Sequence, residues 1–277
     1  MQMYTKEMND RHFKIADYPG KKGTIIAIHG LTGTHKNMHY YAAVLKSEYR
    51  FIAIDLRGRG DSSETDESTS IFKHAQDVID LITELKVENP ILIGHSMGAF
   101  IASIVASKLE TVKGLVLLDG AARMSDHQRD IVKPSLGRLS KTYDSKENYV
   151  QEIKEIYHRL GVEWTSILQN IAEYEIQKVG DKWEHKSTEK NILEDFESFY
   201  FFHPESICSK IKCNTLLVYA KGSIGPFPPL FLEDAFDDTK KYTANIETIV
   251  SNCNHYTMVF ENRAEINQAI STFLARL

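Results

Sequence analysis

Residues Ile91 to Ala106 read ILIGHSMGAFIASIVA, and the place of Ser96 within them decides the fold. Ile91, Leu92 and Ile93 are a short apolar run of the kind that makes a strand buried on both faces. From Met97 onward, Ala99, Phe100, Ile101, Ala102, Ile104 and Val105 give a buried helix. Ser96 thus falls at a strand-to-helix turn, bracketed by Gly94 and Gly98. Such a turn forces its apex into a strained backbone geometry and projects the hydroxyl outward, and only tiny flanking residues let strand and helix approach. A Gly-x-Ser-x-Gly string alone is common, whereas one set between strand and helix in mid-chain is specific. The bland alternative for Ser96 is a helix N-cap.

The same alternation extends to both sides. Thr24 to Gly30, TIIAIHG, reads as a buried strand ending in His-Gly, after a possible early strand in His12 to Tyr18. Lys36 to Glu48 has helical spacing through Tyr40, Tyr41, Val44 and Leu45, and Arg50 to Asp55 returns as a strand. Ile71 to Leu85 places Ala75, Val78, Leu81, Ile82 and Leu85 on one helical face, and Lys113 to Gly120, KGLVLLDG, is a further buried strand. Four such strands separated by helices predict an α/β fold with a mostly parallel sheet and right-handed crossovers.

The next strand of this type is Thr215 to Ala220, about 95 residues beyond Gly120, far too many for a plain connection. Residues 121–210 are therefore expected to form a helical insertion on a core built from 1–120 and 211–277. Asp144 with Glu147 resembles a capping box, followed by Tyr149, Ile153, Ile156, Tyr157 and Leu160 on one face and Gly161 as a stop. Trp164, Ile167, Leu168, Ile171 and Tyr174 make a second face, and Ile192, Phe196, Phe199 and Tyr200 a third. Leu230 to Lys240 reads as a helix, Ile246 to Ser251 as the last strand and Arg263 to Leu277 as the closing helix.

A chain of 277 residues can bury a large core, and 42% hydrophobic with 26% charged residues argues against disorder. The net charge of -5 offers no field for nucleic acid or anionic membrane, which leaves small-molecule substrates open. No apolar run approaches the ~18 residues of a membrane span. The N-terminal MQMYTKEMNDRHFKIADYPGKK lacks the apolar core of a signal peptide, so the expected location is cytoplasmic. Cys208, Cys213 and Cys253 lack metal-ligand spacing, which favours reduced thiols and no metal site. Oligomeric state is left open by the sequence.

A serine hydroxyl is a poor nucleophile at neutral pH and needs a base within hydrogen-bond reach, with a third group to orient that base. Among eleven histidines, His255 in SNCNHYTMVFEN follows the last strand, at the same carboxyl edge of the sheet as Ser96. Its bland alternative is a loop histidine capping the next helix.

With these residues in order, the chain resembles the α/β-hydrolase superfamily of serine hydrolases over almost its whole length. His29-Gly30-Leu31 is similar to the family's oxyanion loop, Asp55 to Ser62 (DLRGRGDS) to its glycine-rich loop, Gly94 to Gly98 to its elbow and His255 to its late base. The resemblance implies an α/β-hydrolase fold with an inserted helical cap, and an oxyanion hole made by the N–H groups of Leu31 and Met97. It implies structural rather than proton-carrying roles for His29 and for Arg57 to Asp61. The triad acid departs from the pattern. The usual position lies after Thr215 to Ala220, where Lys221 to Gly225 holds no carboxylate. Some members take the acid from the end of the preceding strand, where Asp119 stands, so Asp119 is the expected acid, with Glu233 and Asp234 in reserve. The alternative for Asp119 is a strand-end residue that only hydrogen-bonds loop N–H groups.

Aromatic residues of the insertion either line an apolar pocket over Ser96 or form the insertion's own core, and Phe199 and Phe202 are foremost for the pocket, because four consecutive aromatics cannot all face one core. The implied activity is cofactor-independent cleavage of a carboxylic ester through an acyl-enzyme. Carbon–carbon bond hydrolysis, thioesterase and lactonase chemistry use the same groups. A noncatalytic ligand receptor with the same fold is the alternative from another class, supported by the missing acid at the usual place.

Overall fold

The computed structural model describes residues 1–277. The chain begins with a hairpin of β1 (Gln2–Met8) and β2 (Arg11–Tyr18). Its two-residue turn, Asn9-Asp10, has φ of 51° and 58°, the doubly positive geometry that matches strand twist. β3 (Thr24–Ile28), α1 (His39–Leu45), β4 (Arg50–Ile54), α2 (Ile71–Glu84), β5 (Ile91–His95), α3 (Met97–Lys108) and β6 (Gly114–Leu118) follow. These fall where apolar periodicity puts them, except that the first helix opens with a 3-10 turn over His35–Met38.

The segment between β6 and the next core strand contains α4 (Asp126–Leu136), β7 (Thr142–Tyr143), α5 (Lys146–Arg159), α6 (Ser166–Glu175), β8 (Ile176–Val179), β9 (Lys182–His185), α7 (Glu189–Ser198) and α8 (Pro204–Ile207). The three amphipathic stretches read from the sequence are α5, α6 and α7. Neither α4 nor the small antiparallel sheet, ordered β7-β9-β8, belongs to that reading. Strands of two to four residues are too short to show a period, and most of β8 is exposed. The cap of α5 also shifts by one residue. Ser145 accepts from the Asn148 N–H at 3.1 Å, while Asp144 pairs with Lys182 at 2.5 Å. Gly161 (φ 77°) does end α5, its N–H on the His158 carbonyl and that of Val162 on Tyr157, so the last turn is closed.

The core resumes with β10 (Asn214–Ala220), α9 (Asp237–Tyr242), β11 (Ile246–Ser251), α10 (Thr257–Phe260) and α11 (Ala264–Leu274). The helix expected over Leu230–Lys240 is only a 3-10 turn at Glu233–Phe236 leading into α9. Behind Pro228-Pro229 the backbone is still extended at Leu232 (φ -71°, ψ 156°).

The eight-stranded sheet runs β1-β2-β4-β3-β5-β6-β10-β11, antiparallel at the β1-β2-β4 edge and parallel elsewhere. α2 and α3 cover one face, and α1 and α11 the other. β5 and β6 are buried at every position, as expected for central parallel strands.

The insertion is fastened to the core by charge. Asp195 of α7 receives Arg59 Nη2 at 2.5 Å, His74 Nε2 at 2.9 Å and Thr69 Oγ1 at 2.7 Å, and the first three side chains are wholly buried. Tyr174 of α6 donates to Asp55 at 2.6 Å, on a carboxylate that also receives His35 Nδ1–H. Burial alone would raise the pKa of Asp195, but His74 and Arg59 outweigh it and hold the carboxyl well below the usual range. Its folded pKa is thus depressed, so this stability is present above the unfolded carboxylate pKa near 4 and is lost as pH falls further. Asp195→Asn, which strands Arg59 in the interior, should destabilise the protein by about 3 kcal/mol at neutral pH. In urea unfolding series, the gap between wild type and variant should narrow from pH 5 to pH 3, and a gap that stays constant would contradict this account.

Candidate active site

β5 delivers the chain to Ser96, whose φ of 54° and ψ of -119° are the strained turn that the sequence implies. A Cβ on Gly94 would lie 2.1 Å from the Gly98 carbonyl oxygen, and one on Gly98 would lie 2.1 Å from that of Ile28 on β3. One on Gly120 would lie 2.3 Å from the Ser96 carbonyl oxygen. Strand, turn and helix therefore touch backbone to backbone. The Ser96 N–H donates to Leu118 O at 2.9 Å, which ties the turn to β6. The Ser96 side chain makes no capping bond to α3, so its hydroxyl is not spent on the helix.

Gly30 brings a second loop against the turn, since a Cβ there would lie 3.2 Å from Ser96 Cβ. His29 shapes that loop. Its Nδ1–H donates to Gly30 O at 2.7 Å and its Nε2 accepts the Leu56 N–H at 3.1 Å. Burial lowers its pKa to about 3, so the ring is neutral and serves as a structural bridge. The Gly30 carbonyl that His29 holds shares its peptide plane with the Leu31 N–H, and Arg59 Nε fixes the following peptide through the Leu31 carbonyl at 2.9 Å. Met97, as the first residue of α3, has no intrahelical acceptor for its N–H.

His255 lies between β11 and α10, and its Nδ1–H donates to Asp119 Oδ2 at 2.7 Å. Asp119 follows β6 with φ 45°, and its other oxygen accepts the Ala220 N–H at 2.9 Å. The carboxylate is fully buried, and the ring is 5% exposed with Nε2 left free of any protein partner. Parallel pairing of β10 with β6 on one side and with β11 on the other makes this reach possible, because it brings the end of β6, which carries Asp119, and the end of β11, from which the loop to His255 emerges, to the same edge of the sheet. Asn254 fastens that loop. Its Oδ1 accepts the N–H groups of Tyr256 and Thr257, and its Nδ2 donates to Leu160 O at the end of α5 and to Ser223 O. His95 Nε2–H donates to the His255 carbonyl at 3.1 Å. Burial, then the neighbouring His255, lowers the His95 pKa well below its usual value.

Glu233 and Asp234, the reserve carboxylates, are exposed, and Glu233 takes the Tyr219 hydroxyl at 2.8 Å. Neither meets His255. Ser96 and His255 open into one cavity of about 740 Å³, with no hydrogen bond closed between hydroxyl and ring. Such bonds commonly tighten only when a ligand is bound. Leu31, Phe196, Phe199 and Phe231 contribute to the cavity wall. Phe202 does not: it stands edge-on to Phe100 of α3, ring centroids 5.0 Å apart, inside the core. Phe201 is 65% exposed and Tyr200 carries Arg129 over its ring, so the four aromatics do point apart, but only Phe199 reaches the cavity. No cluster of three or more His, Cys, Asp or Glu side chains is arranged to hold a metal, and no helix is long and apolar enough to cross a membrane.

Arg59 and Asn254 are the residues of the site that the sequence reading passes over as functional. Arg59 stands in a string that shows a loop, but nothing local points to Asp195, 136 positions away. Asn254 next to His255 has an Asx-turn signal two residues before Tyr256, while its contact to α5 is purely tertiary.

The family model for the alpha/beta hydrolase fold matches residues 23–198, and the chain belongs to that family. An AB hydrolase superfamily protein of Bacillus subtilis is 41% identical over 101 residues, 35% of this chain and 38% of that protein. A candidate esterase/lipase of Haemophilus influenzae is 38% identical over 96 residues, 34% of this chain and 33% of that one. The matched stretch thus spans less than two fifths of either relative. The crystal structure of E-2-(acetamidomethylene)succinate hydrolase superposes with a TM-score of 0.85 at 17% identity, over 99% of this chain and 100% of that one.

Gly98→Ala tests the backbone contact on which the turn rests. The added methyl meets a strand carbonyl that cannot swing aside, so the variant should lose about 3 kcal/mol or fail to fold. Gly137→Ala, at a position with open space around its Cβ, should be near neutral in the same denaturation assay. Equal stability of the two variants would refute the contact.

Proposed function

We propose that this chain is a serine hydrolase that cleaves a carboxylic ester through an acyl-enzyme on Ser96. The observation that carries the reading is the 2.7 Å contact between His255 Nδ1 and Asp119, with the opposite ring nitrogen free toward the cavity that Ser96 shares. Asp119 fixes the tautomer, so Nε2 bears a lone pair and can take the Ser96 proton as Oγ bonds to the ester carbonyl carbon. The carbonyl oxygen gathers the negative charge, and in this reading the N–H groups of Leu31 and Met97 receive it. Collapse expels the alcohol, which departs with the proton from His255. Water then gives a proton to Nε2, its oxygen attacks the acyl carbon, and Ser96 Oγ leaves reprotonated.

The esterase/lipase name of the Haemophilus influenzae relative supports an ester as the substrate. Residues 121–210 are read as a cap over a core of 1–120 and 211–277, since α4 and α7 both contribute to the cavity wall through residues such as Gln128 and Phe196. The receptor alternative leans on a missing acid, and Asp119 against His255 weakens that support. Three free cysteines, two of them buried, favour a reducing compartment such as the cytoplasm.

A fluorophosphonate should label Ser96 stoichiometrically, and labelling of another residue in the folded protein would sink the proposal. Ser96→Ala and His255→Ala should each lower kcat on a short ester by several orders of magnitude, with the double variant little worse than either. Asp119→Asn should cost roughly 10³ to 10⁴ in kcat with the fold intact, whereas Glu233→Gln and Asp234→Asn should change it by less than about threefold.

A further inference from the structure

Arg138 is a cation without an ionic partner in a cavity walled in large part by apolar side chains. It follows α4, in a 3-10 turn over Gly137–Ser140, and lines the same cavity as Ser96 and His255. Its Nη1 is sealed from solvent with no acceptor, and its Nη2 reaches only the Thr32 hydroxyl, at 3.4 Å. The other charged groups of the wall are accounted for. Lys141 pairs with Glu152 at 2.7 Å, and Asp130 and Arg159 are exposed to water. Glu175 is close enough for its charge to be felt by Arg138, but it makes no ion pair and receives the Tyr149 hydroxyl at 3.0 Å. Burial pushes the Glu175 carboxyl up to about 7 against the opposing pull of Arg138, so at neutral pH it is only partly ionised. A guanidinium cannot escape burial by losing its proton, so an unpaired one in a cavity wants an anion with oxygens in a plane.

Thr32 adjoins Leu31, so the guanidinium lies beside the loop that carries the Leu31 N–H. An anionic group held there and a carbonyl held over Ser96 would belong to a short molecule. We propose that the cavity takes half-esters of short dicarboxylic acids, with Arg138 gripping the free carboxylate while Ser96 attacks the ester at the other end. The attack itself rests on the serine hydrolase reading above; the carboxylate grip does not.

The test follows proton release from monomethyl succinate and monomethyl glutarate beside the uncharged methyl pentanoate and methyl hexanoate. Wild type should favour the half-esters by at least tenfold in kcat/KM. That ratio should fall at least tenfold in Arg138→Met and by less in Arg138→Lys, which keeps the charge but loses the fork. Binding is read separately by calorimetry of glutarate with Ser96→Ala, which is expected to bind it and to lose binding when Arg138→Met is added. A wild type that turns over neutral esters as well as half-esters would overturn the carboxylate grip and leave the serine hydrolase intact. Arg138-dependent glutarate binding with no ester turnover by wild type would do the reverse. Glutarate binding indifferent to Arg138 would overturn the grip, and water would be the group satisfying Nη1. Should Arg138→Met fail to fold, the wild-type ratio and Arg138→Lys decide.

Discussion

The backbone of α3 rests directly on the backbone of β3, Gly98 against the carbonyl of Ile28, and no side chain fits between them. From that contact the geometry around Ser96 follows. With the helix pressed so close, the turn out of β5 has no slack, and Ser96 must adopt positive φ to connect the two. Gly120 repeats the condition from the neighbouring strand, lying against the Ser96 carbonyl, while Leu118 accepts the Ser96 N–H. A residue held from two strands and one helix cannot relax, which is how a side chain at the edge of a sheet acquires a fixed direction.

A second constraint is electrostatic. Arg59 spans three otherwise separate parts, the Leu31 carbonyl, the Arg57 carbonyl and the Asp195 carboxylate. Its charge is wholly buried, so its directional demands are strict. The loop beside Ser96 is thus positioned in part by a carboxylate that the insertion supplies. Core and insertion are energetically one piece at this point, although they read as separate units along the chain.

The centre of the sheet was legible because buried parallel strands and their helices write long apolar patterns, and Ser96 and Asp119 each follow such a strand, while His255 follows the edge strand β11. Asp119 was reachable from the sequence because β6 and β10 pair in parallel and end side by side. Elements carried by two to four residues, such as β7 to β9, leave no period to read. The hairpin of β1 and β2 is absent from the sequence reading beyond the possible strand at His12 to Tyr18, since β1 alternates only weakly, with most of its side chains in contact with water. Phe202 shows the limit of composition: aromatic character says that a ring will be buried, and only tertiary packing says whether it faces the cavity or Phe100. Charged pairs such as Arg59 with Asp195 lie at separations where no local pattern exists.

The insertion is held unevenly, and that has a kinetic meaning. α7 is anchored by buried charges on Asp195, whereas α4 is held by hydrogen bonds to backbone carbonyls, from Gln128 to Leu230 O and from His127 to Pro229 O, with the partly exposed pairs of Arg129 and Lys133 with Glu197 joining it to α7. Opening along α4 breaks groups that water can satisfy at once, while opening along α7 strands a carboxylate and a guanidinium. Amide hydrogens of α4 should therefore exchange with solvent by local fraying, and those of α7 only when the whole molecule unfolds. The seam between α4 and the Pro229–Leu230 segment is then where the wall of the Ser96 cavity is most weakly closed, and the side fixed by Asp195 is where it is closed most firmly.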